Sequence, residues 1–156
     1  MVQKIKPGLG ELLRLVSEKV EQGAEAHYRL MGLRYRARYT PILRAIQAGA
    51  DSVTAITACA HLTQGAISQT VNAMEVDGLI RRVPLADGRK SRLELTPHGH
   101  HMVETLTRHW ATTFAVIEEL EMEIGHPLRR VLEDTASALA RLDFSERLGR
   151  MKARQD

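Results

Sequence analysis

From Ser52 to Gly99 the chain reads helix, tight turn, helix and short hairpin, an order that leaves few folds open. Val53 to Ala60 forms the first helical pattern, and a turn follows at His61-Leu62. Thr63 then stands where an N-cap belongs, its hydroxyl placed to accept from a backbone N–H that has no helical partner. In the second helix Ile67, Val71 and Met74 recur at i, i+4 and i+7, which makes one apolar face. The other face carries Gln64, Ser68, Gln69 and Asn72. These short hydroxyl and amide groups are the types that match donors and acceptors on base edges in a DNA major groove. Gly78 ends the helix, as suits a residue that enters the left-handed region freely.

Leu79–Val83 and Ser91–Leu95 each have the short apolar–polar pattern of a strand. Pro84 and Asp87-Gly88 supply turn chemistry between them. The pair forms a hairpin with Arg89 and Lys90 at its tip. Between Arg81 and Arg92 there are five basic residues (Arg81, Arg82, Arg89, Lys90, Arg92) and one acid, Asp87. Asp87 is expected to orient Arg89 by pairing across the turn. A polar helix beside a basic hairpin has the form of a winged helix-turn-helix.

Order and spacing resemble the MarR-type winged-helix transcription regulators. The likeness rests on Ile67-Ser68-Gln69-Thr70-Val71, on Met74-Glu75-Val76-Asp77-Gly78-Leu79-Ile80, and on Asp87-Gly88-Arg89 followed by Leu93-Glu94-Leu95-Thr96-Pro97-His98-Gly99. The last resembles the family's wing signature, an Asp-x-Arg with a Leu-Thr-x-x-Gly downstream. Gly65-Ala66 departs from the pattern, since larger polar residues are common there. The resemblance implies a mainly α fold: a winged helix-turn-helix lobe over residues 34–96, flanked by dimerisation helices at 8–31 and 97–154. It implies a homodimer on double-stranded DNA, reading two half-sites about one helical turn apart. Thr63, Gln64, Gly65, Ser68, Gln69 and Asn72 would serve the major groove, and Arg89, Lys90 and Arg92 the wing contact. It also implies that a small-molecule effector binds between the lobe and the dimer helices, with His27, Tyr35, Tyr39 and Trp110 as candidate lining.

The chain of 156 residues is long enough to bury a core as one domain without staples. Its net charge of +3 is small, but its distribution is informative. Lys and Arg against Asp and Glu count 5 to 4 over residues 1–33, 9 to 5 over 34–96, and 8 to 10 over 97–156. The positive excess coincides with the helix-turn-helix and wing, as a footprint on DNA requires. A single cysteine excludes an intrachain disulfide, and no apolar run approaches the ~20 residues of a membrane span. Met1-Val2-Gln3-Lys4-Ile5-Lys6-Pro7 lacks the apolar segment of a signal peptide, so a cytoplasmic protein is expected.

Outside the lobe, apolar residues recur at alternating spacings of three and four. Leu9, Leu12, Val16, Val20, Gly23, His27 and Leu30 mark one helix, broken at Gly32. Val103, Leu106, Trp110, Thr113, Ile117, Leu120 and Ile124 mark a second, stopped by Gly125-His126-Pro127. Leu128, Leu132, Thr135, Leu139 and Leu142 mark a third, followed by a short basic tail from Phe144 to Asp156. Thr40-Pro41 and Thr96-Pro97 each read as cap plus proline, with Thr40 as N-cap of the helix that Gly49 ends. Such stripes suit helices that pack on a second copy of themselves.

Arg34, Arg36, Arg38 and Arg44 interleave with Tyr35 and Tyr39, a pattern that suits phosphate contact or side chains lying over a core rim. Among the seven histidines, His98 and His101 share a helical face, so a metal-responsive regulator is an alternative reading. A winged helix that docks a protein partner is another. Solvated histidines are the plainer account, and no metal or other cofactor is expected. Cys59 reads as a small buried hydrophobe. Glu118, Glu119, Glu121 and Glu123 read as a solvated face. The chain has no glycine-rich phosphate loop and no nucleophile–base motif, so an enzyme is not expected.

Overall fold

The computed structural model describes residues 5–155; Met1–Lys4 of the leader reading and Asp156 of the tail lie outside the described residues. Among the described residues, seven α-helices and one two-stranded antiparallel sheet follow in the order α1 (Leu9–Leu30), α2 (Thr40–Gln47), α3 (Val53–Cys59), α4 (Gln64–Val76), β1 (Ile80–Pro84), β2 (Ser91–Leu95), α5 (Pro97–Ile124), α6 (Leu128–Arg141) and α7 (Phe144–Lys152). The chain divides into two compact units, one running to Leu106 and the other from Thr107, so the boundary falls inside α5. The winged lobe lies wholly in the first.

Local chemistry accounts for most boundaries. Ser52 Oγ accepts from Ala55 N–H at 3.1 Å and Thr63 Oγ1 from Ala66 N–H at 3.2 Å, so α3 and α4 each begin on a hydroxyl cap. Such a cap contributes about 1 kcal/mol. Gly78 closes α4 with a φ of +74°, where a β-carbon would be strained. Thr40 departs from expectation. A 3₁₀ turn over Ala37–Tyr39 runs straight into α2, the cap position falls on Tyr39, and the Thr40 hydroxyl instead bonds the Tyr35 hydroxyl at 3.1 Å.

In the first unit Ile67, Val71 and Met74 are fully buried, as the spacing along α4 requires. Each such side chain contributes roughly 1.5–3 kcal/mol. They share the core with Ile42, Leu43, Ile56, Leu79, Ile80 and Leu93. Tyr28, Tyr35 and Tyr39 add a chain of edge-to-face rings, with centroids 4.9 Å and 5.7 Å apart. Burial raises the Tyr35 and Tyr39 hydroxyl pKa values above the usual phenol value, and for Tyr39 the adjacent Asp77 carboxylate adds to the effect.

The sheet pairs Ile80 with Leu95, Arg81 with Glu94, Arg82 with Leu93, Val83 with Arg92 and Pro84 with Ser91. Pro84 thus closes the strand rather than sitting in the turn. Leu93 N–H also donates to Asp51 O at 2.7 Å, which stitches the hairpin to the loop before α3. The Leu-Thr-x-x-Gly signature has a mechanical basis. The Thr96 hydroxyl donates to Gly78 O and accepts from Gly99 N–H, while Thr96 N–H donates to Leu79 O at 3.0 Å. A β-carbon on Gly99 would lie 2.0 Å from that same Leu79 oxygen.

The helical stripes divide by burial. Val103, Leu106 and Trp110 of α5 are buried, whereas Leu120 and Ile124 are exposed. On α1 the residues Leu9, Leu12, Val16, Val20 and Leu30 are all exposed, and the core contact falls on Tyr28 instead. On α6, Leu132 and Leu139 are exposed. The tail is not a mere extension. Phe144–Lys152 is a helix, started by a capping box in which Asp143 accepts from Glu146 N–H at 2.8 Å and Glu146 accepts from Asp143 N–H at 3.3 Å. The expected basic tail is corrected accordingly. Among the described residues, no helix is long and apolar enough to cross a membrane.

Candidate nucleic-acid interface

Burying one face of α4 turns the opposite face outward. Thr63, Gln64, Gly65, Gln69 and Asn72 are exposed and Ser68 is half-buried, so the expected reading surface is continuous along the helix. Gly65 and Ala66 leave the first turn low, and Ile67, the other residue between Gln64 and Ser68, is buried in the core.

The wing's five cations fall into two groups. Arg81 meets Glu94 across the strands at 3.1 Å, and Arg92 bonds the other oxygen of the same carboxylate from two residues away. Arg81, chiefly, and then Arg92 hold the Glu94 carboxyl below the usual carboxylate range. Arg82, on the opposite strand face, pairs with Glu75 at 3.1 Å and bonds Asn72 Oδ1 at 2.9 Å. Only Arg89 and Lys90 of the five have no acid partner among the described residues. The two wing cations without an acid partner therefore stand at the hairpin tip, while Arg81 and Arg92 share the single Glu94 carboxylate. Arg92, expected there as a DNA contact, is committed to Glu94 in this structure.

Asp87 shapes the tip in a different way from the one expected. Its carboxylate accepts from the backbone N–H groups of Arg89 at 3.2 Å and Lys90 at 3.3 Å. It does not pair with the Arg89 guanidinium. Together with the left-handed Gly88 (φ +67°), it fixes the backbone and leaves both cationic side chains directed by the turn. Asp77, which sequence reasoning passed over, also matters here. It accepts from the buried Tyr39 hydroxyl at 2.6 Å and so anchors the end of α4 to the core.

The expected effector residues differ in burial and partners. Tyr35 and Tyr39 are core side chains with bonded hydroxyls, His27 is exposed, and Trp110 is buried with an indole N–H that has no partner among the described residues. In the first unit a cavity of about 500 Å³ opens instead at the foot of the wing, lined by Ile46, Asp51, Arg81, Glu94, His100 and Val103 among others. Cys59 is exposed, contrary to the buried reading, because α3 turns its last residue out at the turn; it lines a cavity of about 440 Å³ with Arg44 and His61. Arg38 lies over the Tyr39 ring at 5.8 Å, which favours the core-rim account for that arginine. His98, His100 and His101 are exposed, and among the described residues no three His, Cys, Asp or Glu gather as metal ligands would.

A helix-turn-helix whose second helix is flanked by a two-stranded wing defines the winged helix-turn-helix class. Residues 34–91 match the model of the MarR family, so the winged lobe is similar to that family's. Solved structures extend the likeness beyond the lobe. The Mycobacterium tuberculosis transcriptional regulator MosR, crystallised with DNA, is 20% identical with a TM-score of 0.67, covering 86% of this chain and 97% of that one. A MarR/EmrR family transcriptional regulator from Acinetobacter sp. ADP1 is 17% identical with a TM-score of 0.65, covering 84% and 94%. Bordetella bronchiseptica BpsR, whose DNA binding is regulated by 6-hydroxynicotinic acid, is 16% identical with a TM-score of 0.59, covering 86% and 99%. No curated protein sequence matches the chain.

Proposed function

We propose that this chain is a MarR-type transcription regulator that binds double-stranded DNA as a homodimer. The observation that carries the reading is the pairing of an outward polar α4 face with a hairpin tip whose Arg89 and Lys90 lack acid partners among the described residues. In this reading Gln64, Ser68 and Gln69 meet base edges in the major groove. Arg89 meets the negative potential of the adjoining minor groove. The lobe's match to the family model and the similar fold of a regulator crystallised with DNA support it. The homodimer is supported by the exposed apolar faces of α1 and α6, which a second copy would cover. A small-molecule effector would act at the wing-foot cavity, where it would touch the Arg81–Glu94 pair; the Bordetella relative's regulation lends support.

Fluorescence anisotropy with a random-sequence duplex at ~50 and ~200 mM salt tests the DNA reading. Binding that weakens by orders of magnitude across that range is expected of a protein releasing several counterions. An absence of salt-sensitive binding would favour a winged helix that docks a protein partner.

A further inference from the structure

One guanidinium ties the wing to the outward face of α4. Arg82 leaves β1 and donates through Nε to Glu75 Oε2 at 3.1 Å and through Nη2 to Asn72 Oδ1 at 2.9 Å. Asn72 and Glu75 are three residues apart, neighbours on one helical face. An asparagine amide has a donor end and an acceptor end, and its surroundings decide which way it points. A guanidinium has donors only, so the amide atom set against it is the oxygen. The two Nδ2 hydrogens are then left to meet whatever approaches the exposed face. Among the described residues no other side chain bonds Asn72.

This orientation bears on which base the residue can read. Adenine presents an acceptor at N7 and a donor at N6, and an asparagine satisfies both only by using both of its ends. Guanine presents two acceptors, N7 and O6. The guanidinium occupies one lone pair of the Asn72 oxygen and its positive charge opposes an amino group approaching the other, while both Nδ2 hydrogens stay available as donors. The Glu75 bond to Nε keeps the guanidinium in place rather than on a phosphate. We infer that Arg82 makes Asn72 a donor-only reader that selects guanine over adenine at the base pair it faces. Arg82 is a positioning residue in this account, and the inference rests on the DNA-binding reading above.

Selection from a randomised duplex library tests it, using the full-length wild type, Asn72→Ala, Arg82→Met and Arg82→Lys, with far-UV circular dichroism to check folding. The position at which Asn72→Ala loses preference should carry guanine in the wild-type motif. Arg82→Met, which keeps the stem and drops the donors, should move that position toward adenine by about tenfold while leaving the rest of the motif intact. Arg82→Lys should keep guanine. Adenine at that position in the wild type overturns the inference even if Arg82→Met fails to fold. So does a folded Arg82→Met that selects the same guanine. A wild type that enriches no motif overturns the DNA reading itself, and this inference with it.

Discussion

Arg89 and Gln69 both belong to the proposed interface, but their chemistry assigns them different work. Arg89 is a cation at a turn whose backbone is fixed by Asp87, and in the proposed complex it would meet backbone charge and groove potential rather than a base pattern. Arg89→Ala should weaken binding to all sequences by a similar factor and lower the log–log salt slope by about one per subunit. An unchanged slope would mean that the tip does not touch DNA. Gln69 stands on the exposed face of α4 with both amide ends available. Gln69→Ala should cost roughly 1–3 kcal/mol on the best operator and much less on random DNA. The two measurements together separate attraction from readout. At this scale the sequence was informative about which residues lie outward on α4, because a cap and a helical period fix that. It was silent on which are already engaged. Arg81 and Arg82 look as free as Arg89 until folding sets them beside Glu94, across the strands, and Glu75, on α4, partners that sequence spacing alone does not reveal.

Between elements, one contact seats the start of α5 on the residue before β1, and the tyrosine chain anchors the end of α4. Gly99 lets the start of α5 lie directly on the Leu79 carbonyl. Alanine is the better helix former by about 1 kcal/mol, yet its methyl group would need that backbone to move. Overpacking of this kind costs about 1–3 kcal/mol, so Gly99→Ala should lower the urea midpoint despite its higher helix propensity. A midpoint equal to or above that of the wild type would show that the contact yields easily. The tyrosine chain supplies the second prediction. Tyr35 and Tyr39 have raised pKa values because burial disfavours the phenolate, so the folded state keeps protons that the unfolded state releases near the ordinary value of 10.0. Their stabilising contribution is complete below that pH and declines as pH rises above it. Urea titrations should show stability falling beyond about pH 10, with a shallower fall in Tyr39→Phe. The elements themselves were legible where caps, apolar spacing and glycine stops agree, as in α4 and α5. The helix over Phe144–Lys152 was missed because its many basic residues suggested a solvated tail, although Asp143 and Glu146 carry a capping-box spacing.

For the whole molecule, the proposed account turns on a second copy. The stripes along α1 and α6 were readable from periodicity, but periodicity does not distinguish an apolar face buried within the chain from one left outside it. Leu9, Leu12, Val16 and Val20 on α1, and Leu132 and Leu139 on α6, remain exposed in the isolated chain. Deleting residues 128–156 should remove half of the proposed interface and leave a protein that is monomeric or aggregates through α1. Such a chain holds only one half-site and loses the effective-concentration gain of two linked contacts. Sedimentation velocity of the full-length protein and the truncation, each mixed with a duplex bearing the selected site, tests this most directly. Two full-length chains per duplex, with no stable complex for the truncation, is the predicted result. One full-length chain per duplex, or a truncation that still binds as a pair, would contradict it.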